Sequence, residues 1–482
     1  MFTLKKSLTL SVVIGMFAGL THADVPLPLS AYVNATSPEF SRTVITSQLK
    51  NPHNIVWGAD NNLWLTEQQT GNIIRVNPET GKATTVFTVP DMVYDEDTQN
   101  GLLGIALDPK FGQMNHNFIY LSVSIKNPNA TDKNYPNQTV VRRYSYDKKQ
   151  DTLTQPTNLL TGLPSSHDHQ GQRLVIGPDN KIYFSVGDQG ANQLGYLFAP
   201  NQAQVLPTAS QIQQHDFHAY AGKILRLNLD GSIPKDNPNL NGVVSHIYTL
   251  GHRNPQGLTF TPNGKLLSSE QSANSDDELN LIIKGGNYGW PNVSGYKDNN
   301  GYAYANYSAA TGDKSQIKDP AQNGLKVPAG VPVSQESDFN DPNFIQPLKT
   351  LFTVSNDYNF NDSTCGKLNY ICWPTVAASA VTFYQGGSNP IPGWKDSVLI
   401  PALKRGVIFR VQLDETHTVT KGDAIPMFRS VDRYRDIVVN PNGKVLYAIT
   451  DSSGSVQLDD GSVSTKVAHP GSIIKFTYIG KK

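Results

Sequence analysis

The sequence predicts an all-β protein: a six-bladed β-propeller of four-stranded antiparallel blades, with long loop insertions covering one end. Three observations lead there. An apolar strand, a tight turn and a second apolar strand recur along the chain. A further strand, apolar around one Lys or Arg, follows most copies. No long 3.6-residue periodicity competes, and 39 Gly with 31 Pro suit a turn-rich chain. A pair of β-sandwiches would use similar strands, but six copies treated alike describe a radial array.

The hairpin pattern occupies residues 55–65, 174–184, 258–267 and 437–447, with looser copies at 105–123 and 381–400. Its turns hold Asp-Asn or Asn-Gly pairs (Asp60-Asn61, Asp179-Asn180, Asn263-Gly264, Asn442-Gly443), which tolerate positive φ and join antiparallel strands tightly. The third-strand pattern reads Gly222-Lys-Ile-Leu-Arg-Leu227 and returns at 71–76, 139–144, 406–411 and 471–476. After the fourth hairpin it is replaced by Glu278-Leu-Asn-Leu-Ile-Ile283. Residues 287–374 break the rhythm with long polar loops, and an insertion of that size is expected to cover one end of the channel and carry function.

Residues 1–23 read as an export signal: Lys5 and Lys6 precede an apolar stretch from Leu8 to Leu20, then Thr21-His22-Ala23. An uncleaved anchor is the alternative, but the stretch is too short to span a bilayer. A single propeller domain over 24–482, periplasmic or secreted and without membrane insertion, is therefore expected. Beyond the signal, 38 Lys+Arg face 40 Asp+Glu, so no global field draws nucleic acid. Cys365 and Cys372, with six residues between them, suit a local disulfide in an oxidising compartment. A metal pair is the poorer reading, because no second Cys/His pair follows.

Four groups of loop segments collect chemistry-bearing side chains. Ser165–Gln170 includes His167, Asp168 and His169, and an imidazole beside a carboxylate can serve as a general base. Leu250–Gly257 offers Arg253, a planar donor fork. Leu403–Gly406 and Arg433–Asp436 sit at corresponding places in the last two copies. A propeller gathers such loops around one axis, so Arg253, Lys404, Arg433 and Arg435 can converge on one multiply anionic ligand. In extended Arg433-Tyr434-Arg435 both guanidinium groups fall on one side. Finally, residues 274–278 and 295–298 are rich in oxygen ligands that suit calcium, although neither is an EF-hand loop.

Together these pieces resemble the soluble quinoprotein glucose dehydrogenases, which use pyrroloquinoline quinone (PQQ), within a broader family of aldose and sorbosone dehydrogenases. The similarity runs over nearly the whole mature chain and is most specific at 99–104, 187–190, 250–257, 285–291, 370–375, 403–410 and 433–436. The resemblance implies that His169 is the general base for the anomeric hydroxyl, with hydride passing to PQQ. It implies that Gln99 and Asp168 bind the sugar, Asp168 also orienting His169. Arg253 would face the quinone oxygen, supported by Asn254. Lys404, Arg433 and Arg435 would pair with the tricarboxylate, and Trp373 and Thr375 would wall and anchor it. One Ca2+ would bridge PQQ through backbone carbonyls of Ser272 and Ala273. A further calcium pair near a homodimer contact would use Glu278, Tyr288, Ser294, Tyr296, Asp298 and Glu336. Cys365 and Cys372 match a family disulfide.

Three departures carry consequences. Ser272-Ala273 stands where the family usually shows Gly-Pro, so loss of Pro is expected to loosen the loop and weaken cofactor retention. His167 replaces a usual Lys, and Gly171-Gln172 replaces Ser-Gly, which alters the field around His169. Ser294 replaces a small residue whose carbonyl is the ligand, an exchange expected to be harmless. The expected activity is oxidation of an aldose, glucose first, with a small-molecule or protein electron acceptor. A calcium-dependent propeller lactonase or esterase, or a non-catalytic sugar-binding propeller, are the competing readings, and neither needs the cation cluster.

Overall fold

The computed structural model describes residues 24–480 except 97, 131–134, 319–325 and 362. The expected export signal at 1–23 therefore lies outside the described residues. Among the described residues, six four-stranded antiparallel sheets form the blades. Blade one runs Pro52–Trp57, Leu63–Glu67, Asn72–Val76 and Ala83–Thr88 from the inside outwards. Blade two is Leu102–Leu107, Phe118–Lys126, Asn137–Asp147 and Thr152–Ser165, and blade three is Gly171–Ile176, Lys181–Val186, Lys223–Asn228 and Ile247–Leu250. Blade four takes Asn254–Phe260, Leu266–Gln271, Asp277–Ile282 and Lys349–Leu351. Blade five takes Thr382–Phe383, Ser397–Pro401, Ile408–Leu413 and Thr420–Met427.

Blade six closes the ring. Tyr434–Val439, Val445–Thr450 and Ile473–Tyr478 come from the end of the chain, but the outer strand, Phe40–Thr46, comes from its beginning. Phe40 pairs with Tyr478 and Val44 with Ile474 in antiparallel register. Phe40 also packs against Trp394, Phe428 and Tyr478, with ring centroids 5.4, 4.9 and 5.4 Å away, so the seam is hydrophobic as well as hydrogen-bonded.

Second strands lie between neighbouring blades and lose water on both faces. That is why Leu63–Glu67, Ser397–Pro401 and Val445–Thr450 are buried throughout instead of alternating. The core is accordingly a set of inter-blade layers; Leu267, Leu279 and Leu351 of blade four pack with Val398, Ile400 and Phe409 of blade five.

The insertion at 287–374 is more than loop. It contains Lys349–Leu351, the outer strand of blade four, paired Asp277 to Leu351 and Leu279 to Lys349. Three residues are too few to show an alternating pattern in sequence. Elsewhere the insertion packs on the blade-three loop: Leu197 lies against Tyr307, Ala310 and Val331. Asn192 also bonds Ala305 O at 2.8 Å and Tyr307 N at 2.8 Å.

One buried network ties all six blades across the axis. Arg173 of blade three reaches Asp436 Oδ2 of blade six at 2.7 Å, Gln256 O of blade four at 2.9 Å and Ser379 O beside blade five at 3.2 Å. Asn54 of blade one donates to the same Asp436 oxygen at 2.7 Å and accepts Ile105 N of blade two at 2.9 Å. Asp436→Asn removes the counter-charge of a buried guanidinium. The expected loss is about 1–3 kcal/mol of stability, read as a lower midpoint in chemical denaturation. An unchanged midpoint would show that ring closure does not depend on this pair.

Candidate active site

In an antiparallel hairpin the start of the first strand and the end of the second lie at the same end. Gln99, His169, Arg253 and Arg433 lie just before first strands, in blades two, three, four and six. Asp188, Ser272, Lys404 and Asp451 lie just after second strands, in blades three, four, five and six. One rule of connectivity thus brings eight residues from distant segments to one mouth of the channel.

His169 is buried and adopts φ of 47°, a left-handed conformation that costs a non-glycine residue energy and is concentrated at functional sites. Its Nδ1 lies 2.7 Å from Asp188 Oδ1. Asp188 also accepts from Gly190 N at 3.0 Å, Trp290 Nε1 at 2.8 Å and Asn201 Nδ2 at 3.0 Å. A carboxylate surrounded by donors is an acceptor only, so a proton sits on Nδ1, and in the neutral ring Nε2 then presents a lone pair. Gln193 Nε2 faces that lone pair at 3.0 Å, while Gln193 Oε1 accepts Arg253 Nη2 at 2.8 Å, which fixes the amide's orientation.

This corrects one expected role. Asp188, not Asp168, orients His169. Asp168 precedes His169 directly and its Oδ1 instead accepts the His169 backbone N–H at 2.9 Å, while its Oδ2 lies 3.7 Å from Nε2. Gln99 Nε2 donates to Asp168 Oδ1, so these two share one rim of the mouth. Burial pushes the Asp168 carboxyl up, but the adjoining His169 ring and backbone N–H, with Arg253 and His167, outweigh it and hold it below the usual range. Sequence reasoning missed Asp188, Gln193 and Trp290. Asp188 stood inside the Gly187–Gly190 stretch, and that stretch was its only signal.

Of the four expected cations, Lys404, Arg433 and Arg435 lie close together, Arg433 Nη1 reaching Leu403 O at 3.5 Å. Lys404 Nζ donates to Thr375 Oγ1 and to Trp373 O at 3.3 Å, and among the described residues it forms no ion pair. Burial, then Arg405 and Arg433, hold its ammonium well below the usual lysine range. Arg405, unremarked in the sequence, donates to Trp373 O at 2.7 Å and to Gln457. Arg433 and Arg435 share Asp451, with Nε–O distances of 3.0 and 2.7 Å, so the Arg-Tyr-Arg alternation places both on one side. Asp451 offsets one of these charges. A buried ammonium whose hydrogen-bond partners are neutral, and whose charge Asp277 only partly offsets, fits a multiply anionic ligand.

Arg253 stacks over Trp290 at 5.4 Å and donates to Ser272 O at 2.7 Å, while its buried Nε has no partner. Asn254 does not touch the guanidinium: its Nδ2 donates to Gln271 Oε1 at 3.2 Å and its Oδ1 accepts Gly171 N at 3.2 Å. Trp373 is half-buried, its indole fixed on Phe360 O at 3.0 Å.

The expected calcium residues lie around residues 294–299. Glu336 accepts Ser294 N at 3.0 Å and Asn299 N at 2.8 Å, and Glu278 accepts Gly295 N at 2.7 Å. Burial pushes Glu336 up to about 7 and Glu278 well above the usual range. Asp298 donates its N–H to Glu336 at 3.3 Å, and Tyr296 is buried beside it with its hydroxyl 3.4 Å from Leu348 O. The Tyr288 hydroxyl is committed to Leu281 O and Ile283 N at 2.5 and 2.9 Å, so any ligand from Tyr288 must be its carbonyl. Among the described residues no three His, Cys, Asp or Glu side chains gather tightly enough to hold a metal, so a cation here would lean on backbone oxygens, as would one at half-buried Ala273. Cys365 and Cys372 form a disulfide with Cα atoms 5.9 Å apart. No helix among the described residues is long and apolar enough to cross a membrane.

A family model described as Glucose / Sorbosone dehydrogenase matches residues 49–333 and 363–458. The chain is 62% identical to quinoprotein glucose dehydrogenase B of Acinetobacter calcoaceticus over 459 residues, covering 95% of each chain. Two solved structures share the fold. The PQQ-bound aldose sugar dehydrogenase of Streptomyces coelicolor matches with TM-score 0.59 and 22% identity, over 91% of this chain and 98% of that one. The soluble aldose sugar dehydrogenase of Escherichia coli, in its apo form, gives TM-score 0.61 and 23% identity, over 91% and 99%.

Proposed function

Because the chain belongs to the glucose/sorbosone dehydrogenase family, we propose that it oxidises aldose sugars, glucose to its lactone above all, using PQQ and calcium. The observation that supports this reading is the pairing, at one channel mouth, of a cation cluster around buried Lys404 with His169, whose Nδ1 is held by Asp188. PQQ, when bound, supplies the two-electron acceptor and calcium a Lewis acid.

The remaining roles belong to this chain's own side chains. His169 Nε2 takes the proton of the anomeric hydroxyl, and Asp188 stabilises the imidazolium that results. Asp168, ionised, and Gln99 accept and donate hydrogen bonds to the sugar's other hydroxyls. Arg253 donates toward oxygen charge at the reacting centre, with its fork held by Gln193 and Ser272 O. Lys404, Arg433 and Arg435 hold the cofactor's carboxylates, with Thr375 and Trp373 beside them. Glu278, Glu336, Asp298 and the carbonyls of residues 288–296 take a calcium pair, and Ser272 and Ala273 carbonyls another ion. A periplasmic homodimer completes the reading.

The test is reconstitution. Apo-protein given PQQ and Ca2+ is expected to reduce a redox dye when glucose is added. No reduction with any aldose, together with hydrolysis of lactones without PQQ, would replace this assignment with a lactonase.

A further inference from the structure

Ser272 and Ser294 belong to different loops, yet their hydroxyls meet in a short hydrogen bond, and both residues are buried. Each is fixed from behind by a separate network. Ser272 donates its N–H to Asp277 Oδ1 at 2.9 Å, and its carbonyl accepts Arg253 Nη1 at 2.7 Å. Asp277 Oδ2 in turn collects the N–H groups of Val376 and Ala377 at 2.8 and 2.6 Å, next to Thr375. On the other side, Ser294 donates its N–H to Glu336 at 3.0 Å, and Gly295 donates to Glu278 at 2.7 Å. One hydroxyl pair therefore joins the segment that holds Arg253 to the acidic loop.

The absence of a proline after Ser272 suggested a looser loop. The geometry points the other way: a lateral strut can supply the rigidity that a ring would have supplied along the chain. We propose that Ser272 and Ser294 are positioning residues whose hydroxyl bond holds the Ser272-Ala273 carbonyls and Arg253 in register, making cofactor retention depend on the acidic loop. This rests on the PQQ reading above. Neither side chain touches a reacting atom. Since the bond exists only when both γ-oxygens are present, losing either one should have the same effect as losing both.

The experiment uses the full chain as wild type, Ser272→Ala, Ser294→Ala, the double variant and Ser294→Thr. Two quantities are read: hydrogen exchange of the amides at 272–277 in apo-protein, and PQQ affinity by tryptophan quenching in saturating Ca2+. Each alanine variant is expected to speed exchange by about 10-fold and weaken PQQ about 5-fold, the scale of one buried hydrogen bond. The double variant should do no worse than a single one, and threonine, which keeps the γ-oxygen, should restore both readings. Exchange and affinity as in wild type, or effects that add in the double variant, would overturn the strut while leaving the cofactor reading intact. Wild type that does not bind PQQ would remove both.

Discussion

Replacing His169 with alanine is expected to slow glucose oxidation by about 10² or more while leaving PQQ affinity within a small factor of wild type. The size follows from what the imidazole does. With its Nδ1 proton spent on Asp188 at 2.7 Å, Nε2 is the basic atom facing the mouth. Asp168 is held ionised below the usual carboxylate range and is too weak a base to substitute near neutral pH. Because position 169 has φ of 47°, His169→Asn is the companion variant: asparagine tolerates that backbone and keeps the fold intact while removing the base. Asp188→Asn should follow His169→Ala in direction, since an amide can donate to Nδ1 and invert the tautomer, turning Nε2 outward as a donor. Steady-state rates with a dye acceptor, beside a PQQ titration, decide the matter. Rates near wild type for His169→Asn, or loss of PQQ binding in its place, would assign the ring a structural role.

Much of this was legible in the chain. Four hairpins with Asn-Gly or Asp-Asn turns and two looser copies are a local, repeated signal, and a propeller is the arrangement that uses such units equally. The seam was not legible. Phe40–Thr46 carries no mark that it pairs with Ile473–Tyr478, more than 400 residues away, because strand pairing at that distance is written in packing partners such as Trp394 and Phe428. Lys349–Leu351 was hidden for another reason, being too short to show a period inside a polar insertion.

The site divides in the same way. Convergence of Arg253, Lys404, Arg433 and Arg435 could be anticipated, since strand ends at corresponding places must share a channel mouth. The partner of His169 could not. Sequence adjacency favoured Asp168, but a side chain one residue back reaches the next backbone N–H more readily than the next ring. Asp188, contributed by the end of another strand, meets the imidazole from behind. Gln172 shows the limit again: it stands where a glycine is usual and keeps φ of 60°, held by hydrogen bonds to Thr139 and Gln170 that no local pattern announces.

Changing Arg433 and Arg435 together to alanine is expected to weaken PQQ binding by about 10³, and here the loss should lie in affinity, with turnover of the saturated enzyme far less affected. Each arginine can give a charge-assisted hydrogen bond of about 1.5–3 kcal/mol to a carboxylate, so two removed bonds span about 10²- to 10⁴-fold. The pair also neutralises Asp451, whose carboxyl is pushed up by burial but held below its usual range by Arg435 and Arg433. Stripped of both, Asp451 becomes a buried anion that repels the ligand and costs stability, so the triple variant that adds Asp451→Asn separates the causes. Affinity recovered in the triple variant would locate the cost in Asp451, whereas affinity still lost would locate it in the missing donors. Lys404 adds a pH signature. Burial, Arg405 and Arg433 depress its ammonium in the apo-protein, and an anion placed against it must raise it, so binding takes up protons and PQQ affinity falls as pH rises through that range. Titrations of wild type between neutral and alkaline pH, repeated with Lys404→Met, would show that slope disappear. Unchanged reconstitution of the Arg433 and Arg435 variant would mean that the cations at this mouth serve the fold and not the quinone.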